Sequence, residues 1–126
     1  MITLTATDIT LLQAGLKDGY QLRTALALGR LLLCTGDEFA VDNERDSANA
    51  YQKLWETIES DDRDGDRRLD NRLGLLAAEA LHDAATYVGG MMLILGVCRD
   101  HIQSSLDYQR LEHRIRAQLS TQKVIT

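Results

Sequence analysis

The sequence predicts an all-α fold: a compact bundle of about five helices in one domain spanning 1–126, with a long apolar helical region at its centre and C-terminal end. Three observations predict it. Proline is absent and only nine of 126 residues are glycine, so little in the chain interrupts a helix. Apolar residues recur at spacings of three and four rather than two, the period of one helix face. Hydrophobic residues make up 44% and charged residues 26%, which supplies one core at this length and excludes a disordered or fibrous chain.

Taken in order, Thr5 and Asp8 resemble a capping box, and Ile9, Leu12 and Leu16 follow at helical spacing, which predicts a first helix over 6–17. Asp18 caps a second, whose stripe of Leu22, Leu26, Gly29 and Leu33 ends at Thr35 and Gly36, with Gly19 as a kink or a break. The acidic stretch 36–45 reads as a surface loop. Ala48, Tyr51, Leu54, Trp55 and Ile58 define a third helix opened by Asn43, Asp46 or Ser47. The run 60–66 has no apolar residue and reads as a solvated connection.

A fourth helix carries the seam Leu69, Leu73, Leu76, Ala80, Ala84 and Tyr87. The periodicity then passes through Gly89 and Gly90 to about Leu119 with no polar loop between. An unbroken helix over 69–119 would be about 75 Å long. Either the glycine pair bends the chain or the helix extends into a partner subunit.

Charge and cysteine usage narrow the function classes. The net charge is −5, and 37–70 holds twelve acids against five bases, so no basic stripe for a nucleic-acid backbone is present. Cys34 and Cys98 lie on apolar stretches and are expected to be free and buried in a reducing cytoplasm. The longest uncharged segment, 84–98, has fifteen residues, short of the roughly 20 that span a bilayer. A cytoplasmic protein without a membrane partner is expected, and no cofactor is implied.

Several constellations in the chain invite a chemical reading. The acidic run with Asp62, Asp64, Gly65 and Asp66 resembles half a calcium loop, but Ser60 stands first, Arg67 replaces an apolar residue and Asn71 replaces the bidentate glutamate. Glu79 and His82 form one Glu-x-x-His pair where a di-iron bundle needs two. Gly15, Gly19, Ala25 and Leu28 fit a helix-turn-helix, which would leave Gln21, Arg23 and Thr24 for bases and Lys17, Arg23 and Arg30 for phosphates. Neither cysteine has the context of a nucleophile, and no phosphate-cradling loop is present.

Glu56 and Glu59, separated by nineteen residues from Glu79 and Asp83, resemble the paired carboxylates of the MazG-like all-α nucleoside-triphosphate pyrophosphohydrolases. The second pair is one residue longer than in that family. The resemblance implies Mg²⁺ held between two facing helices on these carboxylates, with Glu59, Glu79 and Asp83 as candidate ligands. On a helical projection Glu56 points outward, and Asp83 sits beside its apolar seam, where a hydrogen-bonded acid also fits.

The leading expectation is a non-enzymatic, self-associating interaction protein, a regulator or adaptor acting through protein contacts; the pyrophosphohydrolase and the DNA-binding regulator are the alternatives. With Ile102 at zero, Leu106 projects at about 40°, and Leu111, Ile115 and Leu119 at about 180°, 220° and 260°. One intramolecular face cannot take both sets unless the helix breaks near Asp107. The set Leu111, Ile115 and Leu119, flanked by Arg110, Arg114 and Arg116, is therefore expected to meet another copy of the chain, with the arginines pairing its acidic 37–70 region.

Overall fold

Reciprocal hydrogen bonds start the first helix: the Thr5 N–H donates to Asp8 Oδ2 and the Asp8 N–H to Thr5 Oγ1, each at 3.1 Å. The capping box thereby satisfies two of the donors that a helix start leaves unpaired. The structure, a computed structural model, describes residues 1–32, 38–61 and 65–125. In it α1 spans Ala6–Leu32, α2 Glu38–Glu59, α3 Asn71–Leu95 and α4 Arg99–Ile125, with two short strands, β1 at Ile2–Leu4 and β2 at Arg67–Leu69.

The fold is predominantly α-helical, with four helices among the described residues where about five were expected, and the boundaries differ for physical reasons. The two helices expected over 6–33 are one, because Gly19 serves packing rather than termination. A Cβ there would lie 2.9 Å from the Ala80 carbonyl oxygen and 3.3 Å from the Tyr51 ring. Much of the loop expected over 36–45 is the start of α2. Val41 and Glu44 are buried there, and Glu44 accepts from Arg23 of α1, so contacts with the rest of the fold hold this segment in the helix.

β1 and β2 pair antiparallel in the register Ile2↔Leu69, Thr3↔Arg68 and Leu4↔Arg67. Ile2 and Leu4 are buried while Thr3 faces outward and exchanges hydrogen bonds with the Gln118 amide on α4, which occupies an otherwise open strand edge. Leu69, expected to open the fourth helix, thus lies in a strand. Asp70 is the N-cap, accepting from the Leu73 N–H at 2.8 Å.

α3 continues through Gly89 and Gly90. The long apolar run 69–119 is divided instead at Gly96, which has φ +95 and donates its N–H to the Met92 carbonyl. Only glycine enters that backbone region readily. α4 then runs back without a break at Asp107.

Cross-helix contacts set the directions. Arg114 reaches Asp8 and Tyr108 reaches Asp18, so α4 is antiparallel to α1. Gln13 meets Glu59 while Arg23 meets Glu44, so α2 is antiparallel to α1 as well. The carboxyl ends of α1 and α3 and the amino ends of α2 and α4 therefore share the distal end of the bundle, and the strands lie at the proximal end.

Burial is concentrated proximally. The core comprises Ile2, Leu4, Ile9, Leu12 and Leu16, with Tyr51, Leu54, Ile58, the Ala77–Val88 face of α3, and Tyr108, Leu111 and Ile115. Beyond Val88 on α3, and before Tyr108 on α4, no residue is buried.

Candidate functional site

The central polar feature is Arg23, which projects from α1 between α2 and α3. Its Nε and Nη2 donate to Asp83 at 2.6 and 3.2 Å, and its Nη1 donates to Glu44 at 2.7 Å. The Tyr51 hydroxyl also donates to Asp83 Oδ2. Asp83 and Glu44 side chains are 7% and 8% exposed and Arg23 26%. Hydrogen bonding to Asp83, against the opposing effect of burial, pushes the guanidinium pKa above its ordinary value. Burial and the Asp83 carboxylate together push the Tyr51 phenol above its ordinary range.

The guanidinium is therefore a fixed cation and the phenol keeps its proton near neutral pH. The cluster pins three helices to one another, and the Tyr51 ring packs into the notch left by Gly19. A second pair fastens α4: Arg114 donates to Asp8 at 2.7 Å, and the Tyr108 hydroxyl donates to Asp18 at 2.7 Å.

This arrangement separates the carboxylates that the pyrophosphohydrolase resemblance brings together. Both Asp83 oxygens are engaged by Arg23, Glu59 is exposed and accepts from Gln13, and Glu79 is exposed. Glu56 accepts from Gln52 on its own helix. Among the described residues no three His, Cys, Asp or Glu side chains lie within reach of one metal ion. His82 of the Glu-x-x-His pair is exposed and lies 3.7 Å from Glu112 on α4.

The face expected to meet a partner is instead the chain's own core. Leu111 and Ile115 are 0% exposed, and Leu119 is half-buried against the same cluster. The physical reason is Tyr108, which shares this face of α4 and packs against Gly15 of α1. The flanking arginines make intramolecular pairs: Arg110 with Asp107, Arg114 with Asp8 and Arg116 with Glu112. None of these acids belongs to the 37–70 region. Cys98, expected to be buried, is exposed; Cys34 lies outside the described residues.

The largest run of exposed apolar residues lies at the distal end. Leu93 is 89% exposed, Ile94 79%, Leu95 66% and Val97 75%, and Ile102 and Leu106 follow on α4 at 42% and 40%. Cys98, Ile102 and Leu106, spaced by four, continue the tip down one side of α4. The Nδ1 of His101, in the same first turn, is buried with no hydrogen-bond partner among the described residues. The fifteen-residue uncharged run marks this segment in the sequence, where it reads as a buried helix; only the reversal at Gly96 shows that it forms an end.

A separate groove of about 350 Å³ lies between α1 and α2, lined by Leu16, Lys17, Tyr20, Tyr51, Gln52 and Trp55. No helix among the described residues is long and apolar enough to cross a membrane. In comparison with known proteins, no family model, no curated protein and no solved structure matches this chain.

Proposed function

We propose that the chain is a self-associating helical interaction protein, acting through contacts made at its distal end rather than through chemistry. The observation that carries this reading is the exposure of Leu93, Ile94, Leu95 and Val97 at the hairpin tip, 66–89% for each. Isolated exposed aliphatics are ordinary, whereas a contiguous set marks an interaction surface.

The magnitude is sufficient. Burying one such side chain fully contributes about 1.5 to 3 kcal/mol, so the four, each scaled by its exposure, together hold on the order of 5 to 9 kcal/mol per protomer. In a symmetric pair both tips contribute, against an association cost of about 4 to 15 kcal/mol. The partner-facing role expected for Leu111 and Ile115 passes to a surface that the monomer leaves open.

Light scattering behind a sizing column tests the reading. The wild-type protein at micromolar concentration is expected to run as a dimer or larger. Leu93→Glu combined with Ile94→Glu is expected to run as a monomer with an unchanged helical circular-dichroism spectrum, since both side chains point into solvent. A wild-type monomer, or a variant that associates equally well, would sink it.

A further inference from the structure

The rim of the tip indicates how two copies meet. Immediately after Cys98 come Arg99 and Asp100, adjacent residues of opposite charge in the first turn of α4, both exposed. Neither has an ion pair or a side-chain hydrogen bond among the described residues, so both charges are open to a partner at the edge of the tip. The tip they border carries no charge.

We infer that the distal tip docks on the same tip of a second copy about a two-fold axis, with Arg99 of each protomer facing Asp100 of the other. This rests on the self-association proposed above and names its geometry. A two-fold interface is isologous, so whatever surface one copy presents must be complementary to itself. An uncharged apolar centre satisfies that condition without like-charge opposition. A neighbouring cation and anion satisfy it at the rim, because a two-fold contact that sets Arg99 against Asp100 on one side of the axis repeats the same pairing on the other. A partner of different chemistry would be selected by a rim of one sign, whereas Arg99 and Asp100 set both signs side by side. The helix dipole also favours an acid at the position of Asp100, but it gives no reason for an unpaired arginine beside it.

Charge reversal separates these accounts. In an Arg99→Asp homodimer both contacts set one acid against another, and in an Asp100→Arg homodimer both set one arginine against another. Each is expected to weaken association at least about tenfold. An equimolar mixture of the two variants places acids opposite arginines at both contacts and is expected to recover association to near the wild-type level. The double variant, Arg99→Asp with Asp100→Arg, is expected to recover it too. Circular dichroism of each variant checks that α4 survives the reversal.

A wild-type monomer overturns this geometry together with the reading on which it rests. If the wild type associates and Leu93→Glu disrupts it, while the reversed variants associate normally or the mixture fails to recover, the two-fold contact alone is overturned. Single variants that bind less tightly for want of a helix-stabilising acid would also fail to recover on mixing.

Discussion

Replacing Asp83 with alanine isolates the energetics of the Arg23 cluster. The substitution removes the acceptor of three hydrogen bonds, two from Arg23 and one from Tyr51. Tyr51 is 1% exposed, so its hydroxyl is stranded, at a cost of about 1 to 3 kcal/mol. Arg23 keeps Glu44 and is 26% exposed, so its loss falls below that of a sealed ion pair. A total near 3 kcal/mol follows, at the low end of about 3 to 5 kcal/mol for breaking a buried pair. With a urea slope of about 2 kcal/mol/M, the unfolding midpoint falls by about 1.5 M. For 126 residues the melting temperature falls by about 11 °C. Arg23→Met should cost more, because it leaves Glu44 and Asp83 facing each other without a cation. Combining Arg23→Met with Asp83→Leu should cost less than the sum of the two single changes by about 1 to 3 kcal/mol. Urea titrations followed by circular dichroism measure the wild type, Asp83→Ala, Arg23→Met, Asp83→Leu and the double variant; a midpoint shift under about 0.5 M for Asp83→Ala, or strict additivity, would refute the argument.

Four further outcomes are expected. Gly19→Ala drives a Cβ toward the Ala80 carbonyl and the Tyr51 ring and should destabilise by about 1 to 3 kcal/mol. In Gly89→Ala or Gly90→Ala the new methyl meets nothing within 4 Å, so each should raise the thermal midpoint through a gain of about 0.5 to 1 kcal/mol. At Asp8 burial raises the pKa, but hydrogen bonds from Arg114 and Thr5 outweigh it and hold the carboxyl below its ordinary 3.8. A folded pKa below the unfolded one contributes stability that is complete above about pH 5 and lost as pH falls through the depressed value. The stability gap between wild type and Asp8→Asn in urea melts should therefore stay level from about pH 8 to 5 and narrow below about pH 4. Cys98 should react with a thiol reagent in dilute protein without denaturant, and Cys98→Ser should remove that phase.

What the sequence discloses is periodicity, and what it conceals is which of two equivalent outcomes the packing selects. The Thr5 and Asp8 cap and the stripes through Leu12, Tyr51, Ala80 and Ala84 were legible because each is a local pattern. Glycine is ambiguous at this level: Gly19 looks like a break and is a notch, Gly89 and Gly90 look like a bend and lie within a helix, and Gly96 ends α3. The projection of α4 separates Leu111 and Ile115 from Ile102 and Leu106 correctly but does not say which set turns inward. Tyr108 would have decided it, since at about 240° it lies with Leu111, Ile115 and Leu119. The strands have three residues each, too few for alternation to show. Arg23 and Asp83 are sixty residues apart, and only the position of Asp83 beside its seam hinted at an acid that needs a partner.

The uneven burial has a dynamic consequence that bears on the tip. Local opening requires only the free energy of the contacts it breaks, and those contacts are dense around Leu12, Ala80, Leu81 and Leu111 but sparse beyond Val88 and before Tyr108. Amide hydrogen exchange in dilute protein should therefore be slowest over 77–84 and 108–115 and faster over 91–95 and 99–106, although all four segments are helical. Intrinsic looseness and an uncovered interface differ in how that gradient responds to concentration. A partner that binds only the closed end stabilises it by an amount that rises with the logarithm of its concentration, about 1.4 kcal/mol for each tenfold step once well above the dissociation constant. Protection over 91–95 and 99–106 should accordingly climb with protein concentration while that of the strands and the start of α1 does not. Uniform exchange along α3 at low concentration would contradict the polarity of the core; a gradient indifferent to concentration would leave the polarity intact and argue against the tip as a meeting surface.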